Sequence, residues 1–238
     1  MPDLPTLHAA VEATWPPARV ETVGPVTIRE GRGGGKRVSA ATAARALTPD
    51  ELTRAEDAMH DLGQAALFQI RTDDAGLDAA LAAQGYRIVD PTRIHVAPVT
   101  ALTVQTPPRI ATFTIWEPLE IMREIWAEGG IGPDRVAVMA RAKGPKTGLF
   151  GRHDSHPAAA GFAAIHDRIA MVHALEVRPR HRRAGMGRWM MCAAAHWAAR
   201  HGAQHMAVLC TATNAAATAL YSGMGFATVD GYHYRVKD

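Results

Sequence analysis

The sequence predicts an α/β fold: a mixed central sheet with helices on both faces, present in two related copies along the chain. Three observations carry this prediction. Apolar runs of strand length alternate with helically spaced apolar residues through most of the chain. The apolar run 169–177 ends in a basic loop holding Gly185 and Gly187, and helical spacing follows at Trp189, Met190, Ala193 and Trp197. The segment Gly85-Tyr86-Arg87-Ile88-Val89-Asp90 returns as Gly225-Phe226-Ala227-Thr228-Val229-Asp230. Each copy follows an Ala-Leu pair, Ala80-Leu81 and Ala219-Leu220, offset by one residue.

Bulk properties narrow the class. A chain of 238 residues, 47% of them hydrophobic, can bury one large core or two modest ones. The net charge of +3 is mild, and five arginines fall between 178 and 188. That local cluster has no interleaved aromatics, so no nucleic-acid partner is expected. Cys192 and Cys210 sit in apolar patterns and read as small core residues of a reducing compartment. Met1 to Pro5 does not resemble a signal peptide, and no apolar run approaches the ~20 residues that span a bilayer. A cytoplasmic protein without a membrane partner is expected.

In chain order, residues 7–15 form a short amphipathic helix stopped by Pro16-Pro17. Strands are expected at 26–30 and 37–41, with 31–35 as a plain hairpin turn. Glu30 and Arg37 break any resemblance of that turn to a Walker loop. The helix at 48–62 has Thr48 as N-cap, Pro49 at its first position and Glu51 three residues after the cap. A strand at 67–71, a helix at 77–84 and a strand at 86–96 complete the first copy. Pro107-Pro108 marks the boundary. The second copy is expected as strand 109–115, helix 119–126, strand 135–142, polar loop 143–157, and strands 159–166 and 169–177. Helix 189–201, strand 206–211, helix 215–223 and strand 226–235 follow. The domains expected are 1–100, a linker at 101–108, and 109–238.

The loop after residue 177 is built to hold an anion. Amides at a helix start lack partners within the helix, and the helix dipole favours negative charge there. Gly185 and Gly187 leave the backbone bare, while Arg182, Arg183 and Arg188 supply fixed charge. The pattern Arg182-x-x-Gly185-x-Gly187 after Leu175-Glu176-Val177 resembles the acyl-CoA loop of the GNAT acyltransferase superfamily. A second match follows in the right order, Asn214-x-x-Ala217-x-x-Leu220-Tyr221-x-x-x-Gly225-Phe226. The resemblance implies a tandem arrangement of two GNAT-like domains. The first is degenerate, since it lacks the glycine loop and has Leu81 where the second has Tyr221. Only 12 residues follow Phe226, where the family has room for another strand. That strand is either missing or comes from the linker or another subunit.

What the resemblance implies about chemistry is transfer of an acyl group, with acetyl-CoA as donor, to an amine, a small molecule being favoured. The coenzyme would lie on Arg182, Arg183, Ala184, Gly185, Met186, Gly187 and Arg188, on the backbone of Leu175 and Val177, and beside Asn214. An oxyanion donor is expected on the backbone near Leu175, and Tyr221 would protonate the leaving thiolate. The base stays open between His173, Glu176 and a water chain. His173 suits a proton acceptor near neutrality, and MVHALEV resembles the strand of serotonin N-acetyltransferase. A regular strand turns Glu176 away from His173 and Leu175, unless a bulge intervenes. His153 and His156 have no third ligand evident beside them, so no metal is expected. A homodimer is compatible with the sequence. The rival reading is a non-catalytic sensor that binds acyl-CoA without turnover.

Overall fold

The structure is a computed structural model and describes residues 1–237. Its elements begin with α1 (Leu4–Thr14), β1 (Arg19–Val23), β2 (Val26–Glu30), α2 (Lys36–Ser39), β3 (Thr42–Ala43) and α3 (Pro49–Asp61). Next come β4 (Ala66–Arg71), α4 (Ala75–Ala83), β5 (Arg87–Pro98), α5 (Val99–Leu102), β6 (Thr112–Ile115), α6 (Glu120–Glu128) and α7 (Pro133–Arg141). The chain ends with β7 (Lys146–His153), β8 (His156–His166), β9 (Ile169–Val177), α8 (Met186–Arg200), β10 (His205–Thr211), α9 (Ala215–Ser222) and β11 (Ala227–Lys237). The fold class is the mixed α/β one read from the sequence.

Two compact units divide the chain, and neither is continuous. One comprises Met1–Pro16, Ile94–Cys210 and Asn214–Val229; the other Pro17–Arg93, Thr211–Thr213 and Asp230–Asp238. Helix α1 therefore belongs with the second half of the sequence, and the end of β11 with the first. The expected boundary at 101–108 is not where the units part, because β5 and β11 each run from one unit into the other. Composition marks linkers, but it does not record which strand pairs with which.

In the first-named unit the strands run in the order β11-β5-β10-β9-β8-β7-β6. β5 lies between β10 and β11, so a strand from the first half of this chain fills that place, rather than the linker or another subunit. β10 and β9 are parallel, while β9, β8, β7 and β6 are antiparallel to one another in turn. Helix α8 packs on one face of β7–β9, and α1 and α6 pack on β8 and β9. The α8 side of the core is dominated by small and flexible residues: Ala159, Ala163, Met186, Met190, Ala194 and Met206 are all buried. In the other unit, β1-β2-β3 form an antiparallel sheet and β4 pairs antiparallel with the end of β11, Tyr232 opposite Arg71 and Lys237 opposite Ala66. Its core gathers Ile28, Met59, Phe68, Leu77, Leu81 and Tyr86.

Several expected elements change type. Of residues 37–41, expected as a strand, 37–39 lie in α2, while Ala40 is extended and Ala41 makes an isolated bridge to Phe68, so 31–35 leads into a helical turn rather than a hairpin; β1 and β2 make the hairpin. Residues 135–142, expected as a strand, belong to α7 up to Arg141, with Ala142 as its C-cap. Val136 and Val138 mimic strand alternation, yet Pro133 at the helix start and Asp134 in the first turn set a helix. The stretch expected as a polar loop, 143–157, holds β7. Its glycines mark close packing rather than a turn. A Cβ on Gly148 would come 2.6 Å from Met122 Cε, and one on Gly151 2.8 Å from Met186 Cε.

Candidate functional site

The site grows from a defect in β9. Parallel pairing with β10 runs from Ile169 opposite His205 to Val172 opposite Val208 and goes no further. On the other side, the register with β8 passes from His173 opposite Phe162 to Glu176 opposite Ala160. Two steps on β8 thus meet three on β9, which defines a β-bulge at Ala174-Leu175. Ala174 has φ +51°, a left-handed conformation that costs an L-residue about 1 kcal/mol. Its carbonyl accepts a hydrogen bond from Trp126 Nε1 at 2.9 Å.

The bulge corrects the parity expected for Glu176. His173 and Glu176 oppose Phe162 and Ala160, two residues apart on β8, so both lie on the same face of the sheet. Glu176 Oε1 accepts from Arg182 Nη2 at 3.0 Å. Its Oε2 lies beneath Gly129, just after α6, where an added Cβ would come 2.7 Å from it. Leu175 and Val177 pack instead against the α8 core.

His173 is buried, with 4% of its surface exposed. Its Nε2 is 2.9 Å from Thr14 Oγ1 on α1, and its ring lies 5.0 Å from that of Trp15. The Thr14 hydroxyl donates to Ala10 O at 2.6 Å. A hydroxyl has one proton, so toward His173 it accepts, and Nε2 carries the imidazole proton.

Beyond Val177 the chain makes one 3₁₀ turn, Pro179–His181, and enters the glycine loop. Positive φ at Arg183 (65°) and Gly185 (80°) bends the backbone tightly before α8, with Gly185 as its N-cap. Helix α8 starts at Met186, three residues earlier than the spacing predicts, so Gly187 and Arg188 lie in its first turn. Gly185 is required by its φ, and an added Cβ would also sit 3.4 Å from Trp189 Nε1. Gly187 serves packing, since a Cβ there would come 3.0 Å from Leu220 on α9. Arg183, Ala184 and Gly185 are exposed, Met186 is buried. The Arg182 guanidinium donates to Val177 O at 2.9 Å as well as to Glu176. Arg188 donates to Gly223 O at 3.0 Å, tying the start of α8 to the end of α9. The first turn of α8 has no side-chain cap, and its amides, with Arg182, Arg183 and Arg188 close in sequence, could hold a pyrophosphate.

Asn214 caps α9 by accepting from Ala217 N at 3.0 Å. Tyr221 follows on α9, buried beside Phe226 and His95, with ring centroids 5.7 and 5.8 Å away. Burial, with Cys210 second, pushes its phenol above the ordinary value of 10. Both cysteines are free and buried, and Cys210 Sγ lies 3.3 Å from His95 Nε2. Among the described residues no group of three His, Cys, Asp or Glu could hold a metal.

Sequence reasoning missed Trp126, Thr14 and Gly129. Each acts through a contact distant in sequence and carries no local motif. In the other unit, the start of α3 is capped by its own side chains. Thr48 accepts from Glu51 N, and the Glu51 carboxylate accepts from Thr48 N at 3.0 Å. Arg45, with that backbone bond second, lowers the Glu51 carboxyl to about 2.

Comparison with known proteins gives a consistent picture. Residues 116–226 match the Acetyltransferase (GNAT) family. The chain is 26% identical over 249 residues to the uncharacterized N-acetyltransferase YobR of Bacillus subtilis, covering all of both chains. Its fold is similar to that of a GCN5-related N-acetyltransferase from Kribbella flavida (TM-score 0.70, 18% identity, 98% of this chain and 93% of that one). It is also similar to a tandem GNAT protein from the clavulanic acid biosynthesis pathway (TM-score 0.64, 14% identity, 83% and 74%).

Proposed function

From the premise that this chain carries a GNAT acetyltransferase domain and is an acyltransferase, we propose that it transfers an acetyl group directly from acetyl-CoA to a small amine. The observation that carries this reading is the sequence of features along β9. The strand leaves β10 after Val172, bulges at Ala174, and runs into the glycine loop that caps α8. An acyl thioester needs these features together: a gap for an extended chain, a free amide for the carbonyl oxygen, and an anion cradle at one end.

The roles divide as follows. The amides around Gly185 and Met186 hold the pyrophosphate, with Arg182 and Arg183 adding charge. The Leu175 N–H stabilises the oxygen that gains charge as the amine nitrogen attacks the thioester carbon. The Glu176 carboxylate takes the amine proton. Its support is the bulge, which puts Oε2 under the turn after α6. His173 holds α1 to the sheet, since its Nε2 proton is committed to Thr14. When the C–S bond breaks, Tyr221 gives its proton to the thiolate. A phenol with a raised pKa keeps that proton at every working pH until negative charge develops beside it.

The test is release of free thiol from acetyl-CoA across a panel of amines, with the acetylated product identified by mass. Transfer to an amine supports the reading. Tight acetyl-CoA binding with no thiol release from any amine overturns it in favour of a sensor.

A further inference from the structure

Trp126 is fully buried on α6, and its indole nitrogen is only a donor. A buried indole N–H needs an acceptor, and which acceptor it takes fixes that group in place. Here the donor goes 2.9 Å to the carbonyl of Ala174, the bulge residue with φ +51°. This carbonyl belongs to the peptide group that joins Ala174 to Leu175. The group lies past the last pair with β10 and inside the bulge opposite β8. Regular sheet pairing therefore does not set its orientation. The peptide is trans, so its C=O and N–H point in opposite directions. Holding the carbonyl toward α6 turns the Leu175 N–H away from α6.

We propose that Trp126 is a positioning residue for acyl transfer: by gripping the Ala174 carbonyl it aims the Leu175 N–H at the thioester oxygen. This rests on the acetyl-transfer reading given above and adds a residue outside every motif of the chain. The arrangement supplies preorganisation. An amide fixed before the reaction needs no reorientation as charge develops, which is where an oxyanion donor gains its effect. The same residue also ties the bulge to the acceptor side. The Trp126 carbonyl accepts from Gly129 N at 3.0 Å and from Ile131 N at 2.7 Å, closing the turn that lies over Glu176.

The experiment compares the full-length wild type with Trp126→Phe, which removes the indole N–H and keeps an aromatic ring. Trp126→3-benzothienylalanine, of nearly equal volume and without the N–H, replaces it if the phenyl variant does not fold. Three quantities are read: acetyl-CoA affinity by calorimetry, the single-turnover transfer rate, and the infrared carbonyl stretch of bound [1-¹³C]acetyl-CoA without amine. The expected result is affinity within about twofold of wild type and a transfer rate lower by about ten- to a hundredfold. The carbonyl stretch, lowered on binding to wild type, should move back toward its free value. A folded variant with an unchanged rate and an unchanged stretch overturns this inference alone. So does a variant whose affinity falls while its bound turnover rate stays the same. A wild type that binds acetyl-CoA but releases no thiol overturns the acetyl-transfer reading instead; the infrared comparison then still decides whether Trp126 aims the amide.

Discussion

Tyr221 and Glu176 are where side-chain chemistry should show most clearly. Tyr221 is packed against Phe226 and His95, so Tyr221→Phe keeps the packing and deletes the hydroxyl. General acid help is worth ~100- to 10,000-fold. The single-turnover rate should fall by about that much, with acetyl-CoA affinity unchanged. Because burial raises the phenol above 10, the group stays protonated through neutral and mildly alkaline pH. The rate should then show no loss from tyrosine ionisation below about pH 10; a basic limb that vanishes in Tyr221→Phe would contradict this. Glu176 and His173 share a face, and the proposal gives them different roles. Glu176→Gln should lower the transfer rate about 100-fold or more. His173→Gln keeps an N–H for Thr14, and its rate should stay within about threefold of wild type if the residue is structural. Reversal of these two outcomes would make His173 the base.

At the scale of elements, the loop–helix junction before α8 is the feature to perturb. Gly185 has φ +80°, and β-branched residues are strongly disfavoured there. Gly185→Val should therefore weaken acetyl-CoA binding by about tenfold or more while the protein remains folded, as measured by calorimetry and circular dichroism. Undiminished affinity would remove the anion cradle from the mechanism. Gly187 is a control for this reasoning, because its missing side chain faces Leu220 rather than the loop. Gly187→Ala should act mainly through α8–α9 packing and appear as a lowered melting temperature.

Across the whole chain, the question is how many coenzyme sites there are. The helix start at α3 is closed by Thr48 and by the Glu51 carboxylate, whereas the start of α8 offers amides beside arginines. Titration of the intact chain should give one acetyl-CoA bound per chain, and Gly185→Val should remove that one. A second site surviving in Gly185→Val would mean that the first copy is not degenerate. The intact chain is the right material, since a fragment of residues 1–100 would carry α1 without its partners on β8 and β9. It would also lack the part of β11 that pairs with β4.

The sequence by itself determined the α/β class, the limits of β9 and the glycine that ends the loop before α8. It also marked Tyr221 as the aromatic of α9. These are local matters: apolar period, caps and glycines are decided by neighbours along the chain. The same locality produced the errors. Val136 and Val138 alternate like a strand although they sit on α7, and Gly148 and Gly151 look like loop residues although helices press on them. Only the tertiary structure decided which side Glu176 faces, because one extra residue at Ala174 reverses strand parity and leaves no composition signal. It alone placed Thr14 against His173 and Trp126 against Ala174, and ran β5 between β10 and β11. Pairings of that kind form between residues far apart in sequence, and no window along the chain contains both partners.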